Sequence, residues 1–304
     1  RSENITFGHV YKLWDEQHKT QVKESTDYIR KSIIKNRILP TFENLKVSKI
    51  KLPYCQNYIN ELSEEYARKY VHTIKGIIIQ VLDYAVKMEI IPTNYMKLTR
   101  IPKQTVTKEK KFYTREELLQ FLKIVKENYS SDIYIIFHLL AYTGMRVGEL
   151  RALTWKDIDL KNKTLTINKN MMNVGSKSTV SNTKTKTSER IIFLDDTTIK
   201  ELKEFRKNSN SFNITGRLVN HPKRHYIGST LKSILASFPE LGKITPHGFR
   251  HTHATLLFEG GSTPKDVQNR LGHKDITTTL NTYTHITEEK NKQTTAIFEK
   301  IMNL

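Results

Sequence analysis

The spacing of apolar residues changes along this chain, and that change limits the folds open to it. In the first hundred residues apolar side chains recur every three or four positions, as at Phe7 and Val10, which predicts helices. Further along, Leu165 and Ile167 alternate with polar neighbours, which predicts short strands. From Thr245 onward the helical spacing returns. We therefore expect a mainly α fold with a small antiparallel β-sheet.

One stretch without periodicity, "LTRIPKQTVTKEKKF", divides the chain. Its proline, its threonines and its run of lysines are typical of a basic linker, and 304 residues suffice for two domains. We predict a helical domain over residues 1–100, the linker over 101–111 and a second domain over 112–287. A terminal amphipathic helix is predicted over 288–304.

The charge of the chain restricts its partners. Lys and Arg number 50 against 31 Asp and Glu, a net charge of +19, which favours a polyanion: nucleic acid first and an anionic membrane surface second. No apolar run approaches the roughly 20 residues of a membrane-spanning helix. The one cysteine, Cys55, excludes an internal disulfide framework and multi-cysteine zinc sites, which indicates a reducing compartment. We expect a cytoplasmic protein that does not enter membranes.

The stretch "ITPHGFRHTHATLL" concentrates histidine and arginine. His247 and His251 have the four-residue spacing of two zinc ligands, but the acid that a metalloprotease places between them is missing, and Arg250 beside a dication would repel it. We therefore expect no metal. His247 and Arg250 are three apart near a predicted helix start, with Thr245 as N-cap, so they project from one side. A helix N-terminus, a bidentate donor and a group that exchanges protons predict a phosphate site.

Four further side chains, one of them a lysine in the predicted hairpin "TKTKTSERIIFL", complete a recurring order. Arg146 follows the Thr-Gly break in "TGMRVGEL" and precedes a helix that carries Glu149, while "RLGHKDITTTLNTYTH" contains His273 and, ten residues later, Tyr283. An arginine, a hairpin lysine, His-x-x-Arg, a histidine and a tyrosine therefore follow one another. With the phrases "TGMRVGEL", "TPHGFRHTHATLL" and "RLGHKDITTTLNTYTH", residues 112–290 resemble the tyrosine recombinase family of phage and conjugative-transposon integrases.

The resemblance implies a role for each side chain. Arg146 and Arg250 would clamp the non-bridging oxygens of the scissile phosphate. His247 and His273 would complete the pocket. Tyr283 would be the nucleophile that forms a 3′-phosphotyrosyl bond.

The remaining roles in the same pocket fall to a lysine, a base and a supporting acid. The hairpin lysine is matched by Lys184 in "TKTKTSERIIFL", and Lys186, two residues away on the same strand face, is the alternative. A phenol of pKa about 10 needs a proton acceptor, for which we expect His247, while Lys184 protonates the departing 5′-oxygen. Glu149 orients an arginine. Since the phosphotyrosine conserves the bond energy, no cofactor is expected.

The resemblance also implies partners. A SAM-like core-binding domain and a catalytic domain would form a C-shaped clamp around double-stranded DNA attachment sites, to integrate and excise a mobile element in the bacterial nucleoid. The expected assembly is a homo-oligomer, a dimer on each site and a tetramer in the synapse. The helix over 288–304 would pack in trans on a neighbouring protomer, with packing in cis as the alternative.

Other proteins are expected to accompany such an assembly. Accessory partners would be an excisionase or a host DNA-bending protein. Integrases of the transposon type often carry an additional N-terminal domain that binds arm sites, and we expect that domain to have been removed here.

Two other classes of protein compete with this interpretation. A type IB topoisomerase shares the phosphotyrosine chemistry but needs no synapsed partner or defined site. A non-catalytic DNA-binding regulator on the same scaffold would have no use for Tyr283 or for a second arginine. The presence of all six reactive positions favours the recombinase.

Overall fold

The computed structural model describes seven stretches of the chain, which form two compact units. The described residues are 4–18, 24–103, 112–174, 177–182, 189–208, 216–219 and 225–272. Those up to residue 103 belong to the first unit, and nearly all of those from residue 112 onward belong to the second. Within these stretches, neither unit contains a helix long and apolar enough to cross a membrane.

Helices build the first unit. They are α1 (Phe7–His18), α2 (Glu24–Ile33), α3 (Leu39–Phe42), α4 (Leu52–Glu65) and α5 (Arg68–Lys87), with a π-helical turn at Ile34–Ile38 and 3₁₀ turns at Val47–Lys49 and Tyr95–Leu98. Phe7 and Val10 of α1 are fully buried in the core of this unit, as their spacing predicts. The helical prediction for this region is therefore confirmed.

One buried charge stands out in the first unit. Arg30 of α2 forms ion pairs with Asp15, at 3.2 Å, and with Asp27. Its guanidinium also lies 4.6 Å from the centre of the Trp14 ring. Both carboxylates belong to this same unit, so the charge of Arg30 is neutralised where it is buried.

Helices also dominate the second unit. They are α6 (Arg115–Asn128), α7 (Ser131–Thr143), α8 (Val147–Ala152), α9 (Asp196–Asn208), α10 (Tyr226–Ser237), α11 (Gly248–Glu259) and α12 (Pro264–Leu271), with 3₁₀ turns at Trp155–Asp157 and Pro239–Leu241. Thr114 caps α6, since its hydroxyl accepts from the Glu117 backbone N–H while the Glu117 carboxylate accepts from that of Thr114. A threonine followed three residues later by a glutamate, ahead of an apolar run, is the sequence signature of such a capping box.

Two small antiparallel sheets interrupt the helices. Strands β1 (Ile158–Asp159), β2 (Thr164–Ile167) and β5 (Arg190–Phe193) form one sheet in the order β1-β2-β5, and β3 (Lys169–Val174) pairs with β4 (Lys177–Asn182). Leu165 and Ile167 face the core, so the predicted alternation is confirmed. The pairing of Ile167 with Arg190 fixes the register of β5. The fold class is mainly α with small antiparallel sheets, as predicted.

An aromatic cluster anchors α11 in the second unit. Phe249, in the first turn of α11, is fully buried, and its ring centre lies 5.1 Å from that of Phe121 and 5.6 Å from that of Phe137. Tyr113 packs edge-on against the same ring. Because Phe249 directly precedes Arg250, this packing sets the position from which the Arg250 side chain departs.

Candidate active site

The candidate site lies where α7 ends in a left-handed turn at Gly144. Gly144 ends α7 with φ 64°, a conformation that favours glycine. A Cβ atom there would lie 2.6 Å from Leu271 and 2.8 Å from His253, so only glycine allows α7 to end this close to α11 and α12. Arg146 stands two residues later, directly before α8, as the N-cap residue of that helix.

Glu149 holds Arg146 at both its main chain and its side chain. One Glu149 carboxylate oxygen accepts from the backbone N–H of Arg146 at 2.8 Å, and the other accepts from its Nη1 at 2.9 Å. The Nη2 of Arg146 donates to the carbonyl oxygen of Gly272 at 3.3 Å. The side chain keeps 38% of its surface exposed, so the guanidinium is fixed in direction yet open to a ligand.

Glu149 is itself buried between two guanidinium groups. Arg190, at the start of β5, donates two roughly parallel hydrogen bonds to its carboxylate, at 3.1 and 2.8 Å. Burial by itself would raise the pKa of Glu149, but the hydrogen bonds and charge of Arg190, followed by those of Arg146, hold that pKa below its usual range. Glu149 therefore stays a carboxylate at neutral pH and orients Arg146.

Arg250 enters the site from α11 and is only 2% exposed. Its Nη1 donates to the carbonyl oxygen of Gly144 and its Nη2 to that of Leu271, both at 2.8 Å. Its Nε has no hydrogen-bond partner among the described residues. Burial, together with repulsion from Arg146, lowers the pKa of Arg250 to about 9, so it remains a cation at neutral pH.

The last turn of α12 collects three guanidinium groups. The consecutive carbonyl oxygens of Arg270, Leu271 and Gly272 accept from Arg190 at 2.8 Å, from Arg250 at 2.8 Å and from Arg146 at 3.3 Å, respectively. These are carbonyls that a helix leaves without internal partners, at the negative end of its dipole. One helix end therefore brings together arginines from three other elements.

His247 stands at the start of α11 and keeps access to solvent. Neighbouring protein atoms nevertheless displace water from its ring, and this desolvation is the largest cause that lowers the pKa of His247 to about 4. Repulsion by His251, whose ring centre is 4.9 Å away, and by the two arginines adds to it. His247 is therefore neutral at pH 7 and able to accept a proton.

His253 has a structural role. It is buried, with Nδ1 2.8 Å from the carbonyl oxygen of Ala141 and Nε2 2.9 Å from the Nε of Arg270. The neutral tautomer that donates from Nδ1 and accepts at Nε2 satisfies both contacts. Both ring nitrogens of this interior histidine are therefore satisfied by the protein.

The structure therefore brings four of the predicted site residues together: Arg146, Glu149, His247 and Arg250. Lys184, Lys186, His273 and Tyr283 lie outside the described residues, and so does the helix predicted over 288–304. Arg190 was not predicted from the sequence to be a site residue. Its position in "SERIIFL", directly after the lysine segment, was the one available signal.

Comparisons with known proteins identify the family. Residues 111–290 match the phage integrase family, and residues 6–63 match the N-terminal SAM-like domain of phage integrases. The integrase of Staphylococcus phage L54a is 32% identical over 99% of this chain and 94% of its own length. The ICEBs1 integrase of Bacillus subtilis is 26% identical over 96% of this chain and 82% of its own length.

Solved structures agree at the level of the fold. The Tn1549 transposon integrase in complex with a circular intermediate DNA superposes with a TM-score of 0.80 at 21% identity, covering 95% of this chain and 99% of that one. A lambda integrase dimer bound to a core site gives 0.71 at 19% identity, covering 92% and 78%. The resemblance to tyrosine recombinases is confirmed. The chain belongs to the phage integrase family.

Proposed function

We propose that this chain is a site-specific DNA recombinase that integrates and excises a mobile element through a 3′-phosphotyrosine intermediate. The observation that carries the proposal is the pair of guanidinium groups, Arg146 and Arg250, fixed by Glu149 and by the end of α12. Family membership supplies the reaction class, because the matched relatives are named integrases, tyrosine recombinases and transposases.

The two arginines suit phosphoryl transfer. Arg250 has two nitrogen atoms bonded to backbone carbonyls and a third without a partner among the described residues, whereas Arg146 is partly exposed. An attacked phosphate gains negative charge in its five-coordinate transition state, and prearranged guanidinium groups stabilise that charge more than the charge of the ground state. No reorganisation is needed at that moment, since carbonyls and Glu149 already hold the donors.

The chain supplies the proton transfers as well. The Tyr283 oxygen attacks phosphorus and gives its proton to neutral His247, while the bond from phosphorus to the 5′-oxygen breaks and Lys184, or Lys186, protonates that oxygen. His273 contributes a further hydrogen bond to the phosphate. Rejoining reverses these steps with a 5′-hydroxyl of another strand, so the reaction consumes neither nucleotide nor metal.

DNA and a second copy of the chain are the partners. Relatives of this fold have been solved as a dimer on a core site and as a tetramer on a Holliday junction, both for lambda integrase. We infer that this chain binds double-stranded attachment sites as a dimer and synapses them as a tetramer, in the bacterial cytoplasm at the nucleoid. An excisionase or a host DNA-bending protein would set direction.

The limits of the domains also remain a proposal. The core-binding domain would span residues 1–100, the linker 101–111 and the catalytic domain 112–287. The helix over 288–304 would pack on the neighbouring protomer. The limits follow from the sequence pattern, and the packing of the terminal helix is implied by the family resemblance.

The test is the formation of a covalent adduct. The protein and its Tyr283→Phe variant are incubated with a pool of randomised nicked duplexes and then separated by denaturing electrophoresis. We expect a detergent-resistant adduct from the unmodified protein alone, with equal DNA binding by both, and sequencing the trapped DNA would give the core site. Adducts that persist in Tyr283→Phe would refute the assignment of the nucleophile, and binding without any adduct would favour a regulator.

A further inference from the structure

The guanidinium of Arg190 donates all of its described hydrogen bonds to other groups of the protein. Its side chain is 6% exposed, its Nε donates to the carbonyl oxygen of Arg270 at 2.8 Å, and its two terminal nitrogen atoms donate to the two oxygens of Glu149 at 3.1 and 2.8 Å. A planar guanidinium fits a carboxylate in this parallel arrangement, which a lysine cannot reproduce. All three nitrogen atoms of the Arg190 guanidinium are therefore engaged by the protein, unlike the Nε of Arg250, and any influence of Arg190 on the phosphate passes through its neighbours.

The first route runs through Glu149. Each carboxylate oxygen that Arg190 contacts also accepts from Arg146, one from the Nη1 at 2.9 Å and the other from the backbone N–H at 2.8 Å. Arg190 thus fixes the plane of the carboxylate on which Arg146 is oriented. With Arg190 shortened or removed, the buried carboxylate could rotate toward Arg146 alone and carry that guanidinium with it.

The second route runs through the end of α12. Arg190 bonds to the Arg270 carbonyl, and the next two carbonyls bond to Arg250 and Arg146. A Cβ atom on Gly272 would lie 3.0 Å from the Nη1 of Arg190, so the guanidinium also packs closely under this turn, where Gly272 has φ 67°. Both phosphate-binding arginines therefore depend on a helix end that Arg190 supports.

We propose that Arg190 is a positioning residue for strand cleavage, one that aims Arg146 at the scissile phosphate through Glu149 and through the last turn of α12. The inference rests on the proposed function and adds a residue to it. Arg190 also connects the site to β5, the strand that follows the segment of Lys184 and Lys186. It is the first residue of β5 and is paired with Ile167 of β2.

The kinetic test uses Arg190→Lys, which keeps the charge and loses the planar fork. Arg206→Lys is the matched control, because Arg206 lies on α9 of the same unit and stacks over Trp155 at 5.4 Å. At saturating DNA, the rate of adduct formation should fall about 10- to 100-fold in Arg190→Lys, while Kd for DNA changes by less than about twofold. An unchanged rate, or a loss confined to Kd, would overturn the proposal.

A double-mutant cycle tests the route through Glu149. Because Arg190 is argued to act on Arg146 by way of that carboxylate, Arg190→Lys combined with Glu149→Gln should be no slower than the slower single variant, within about threefold. Losses that multiply would show that the two residues act independently, against the proposal. Arg190→Gln, which retains an N–H donor toward Glu149, replaces Arg190→Lys if thermal unfolding shows that the lysine variant is not folded.

A spectroscopic readout separates this proposal from the proposed function. In protein labelled with ¹⁵N-arginine, the Nε–H signal of Arg146 is assigned by its loss in Arg146→Lys. We expect this signal to shift and its hydrogen exchange to accelerate in Arg190→Lys and to stay unchanged in Arg206→Lys. An unaltered Arg146 signal overturns the positioning role whatever the adduct assay gives. Absence of adducts from the unmodified protein overturns the recombinase assignment instead.

Discussion

Among the described residues, each unit of this molecule buries an arginine on a helix, Arg30 of α2 and Arg250 of α11, and the two charges have different partners. Arg30 in the first unit is 7% exposed and Arg250 in the second is 2% exposed, and each has an Nε without a hydrogen-bond partner among the described residues. Arg30 has two carboxylates as partners, Asp15 and Asp27. Arg250 has two backbone carbonyls and, within the described part of the chain, no ion pair.

This difference is what we expect if Arg30 has a structural role and Arg250 has the proposed role in binding phosphate. Burying a charge is costly unless it is paired, so the neutralised Arg30 needs nothing further. Among the described residues, the carboxylate that acts on Arg250 is that of Glu149, which already bonds to Arg146 and Arg190. Burying the Arg250 charge costs free energy, which an ion pair with a bound anion would offset. A phosphate bound between Arg146 and Arg250 would be such an anion.

The largest expected contrast lies in catalysis. Arg250→Met removes a guanidinium from the phosphate site, and arginines that stabilise phosphoryl transfer are worth about 10³–10⁵ in rate, so adduct formation should fall by that factor. Arg30→Met should retain adduct formation within about threefold once folded protein is matched. The measurement is the initial rate on the nicked substrate that traps the unmodified protein. Comparable losses in both variants would erase the distinction between the two arginines.

The second contrast lies in stability and has the opposite direction. Arg30→Met leaves Asp15 and Asp27, whose side chains are 18% and 17% exposed, with Lys31 as their remaining ion-pair partner among the described residues, so the first unit should lose about 2 kcal/mol of its free energy of unfolding. Arg250→Met removes a buried charge that forms no ion pair within the described part of the chain, while it leaves two carbonyls unpaired. These effects offset each other, and we expect a change within about 1 kcal/mol in the second unit.

The two tryptophans of the chain make this second contrast measurable. Trp14 lies in the first unit and Trp155 in the second, so fluorescence during urea unfolding reports each unit separately in Trp155→Phe and Trp14→Phe backgrounds. A larger loss from Arg250→Met than from Arg30→Met would mean that Arg250 contributes mainly to stability. Arg250, and not Arg30, would then be the arginine with the structural role.

The sequence predicts the local parts of this arrangement because they depend on neighbours in the chain. Thr114 and Glu117 form the capping box of α6. The resemblance implies that Glu149 orients an arginine, and Arg146, three residues before it, is an arginine that it contacts. The alternation of Leu165 and Ile167 predicts β2 for the same reason. Each contact spans a few residues, so helix or strand geometry is enough to determine it.

The parts that the sequence does not predict join distant positions. Arg190 meets Glu149 across 41 positions, and Arg250 meets the Gly144 carbonyl across 106. The three-residue spacing of His247 and Arg250 predicts a shared helix side but not that one residue stays exposed while the other is buried. Burial without a neutralising carboxylate is a property of the packed unit, because it depends on which elements surround the charge.

The smallest expected effect is the stabilisation of the second unit by inorganic phosphate, which tests anion binding without DNA cleavage. If the unneutralised charge of Arg250 marks a phosphate site, inorganic phosphate at ten times its Kd should stabilise the second unit by about 1.4 kcal/mol, read from Trp155 fluorescence. Sodium chloride of equal ionic strength controls for screening. The stabilisation should disappear in Arg250→Met and persist in Arg30→Met, because Arg250, unlike Arg30, would contact the phosphate. Equal stabilisation of both variants would show that phosphate acts on the overall positive charge, and the burial of Arg250 would then need another explanation.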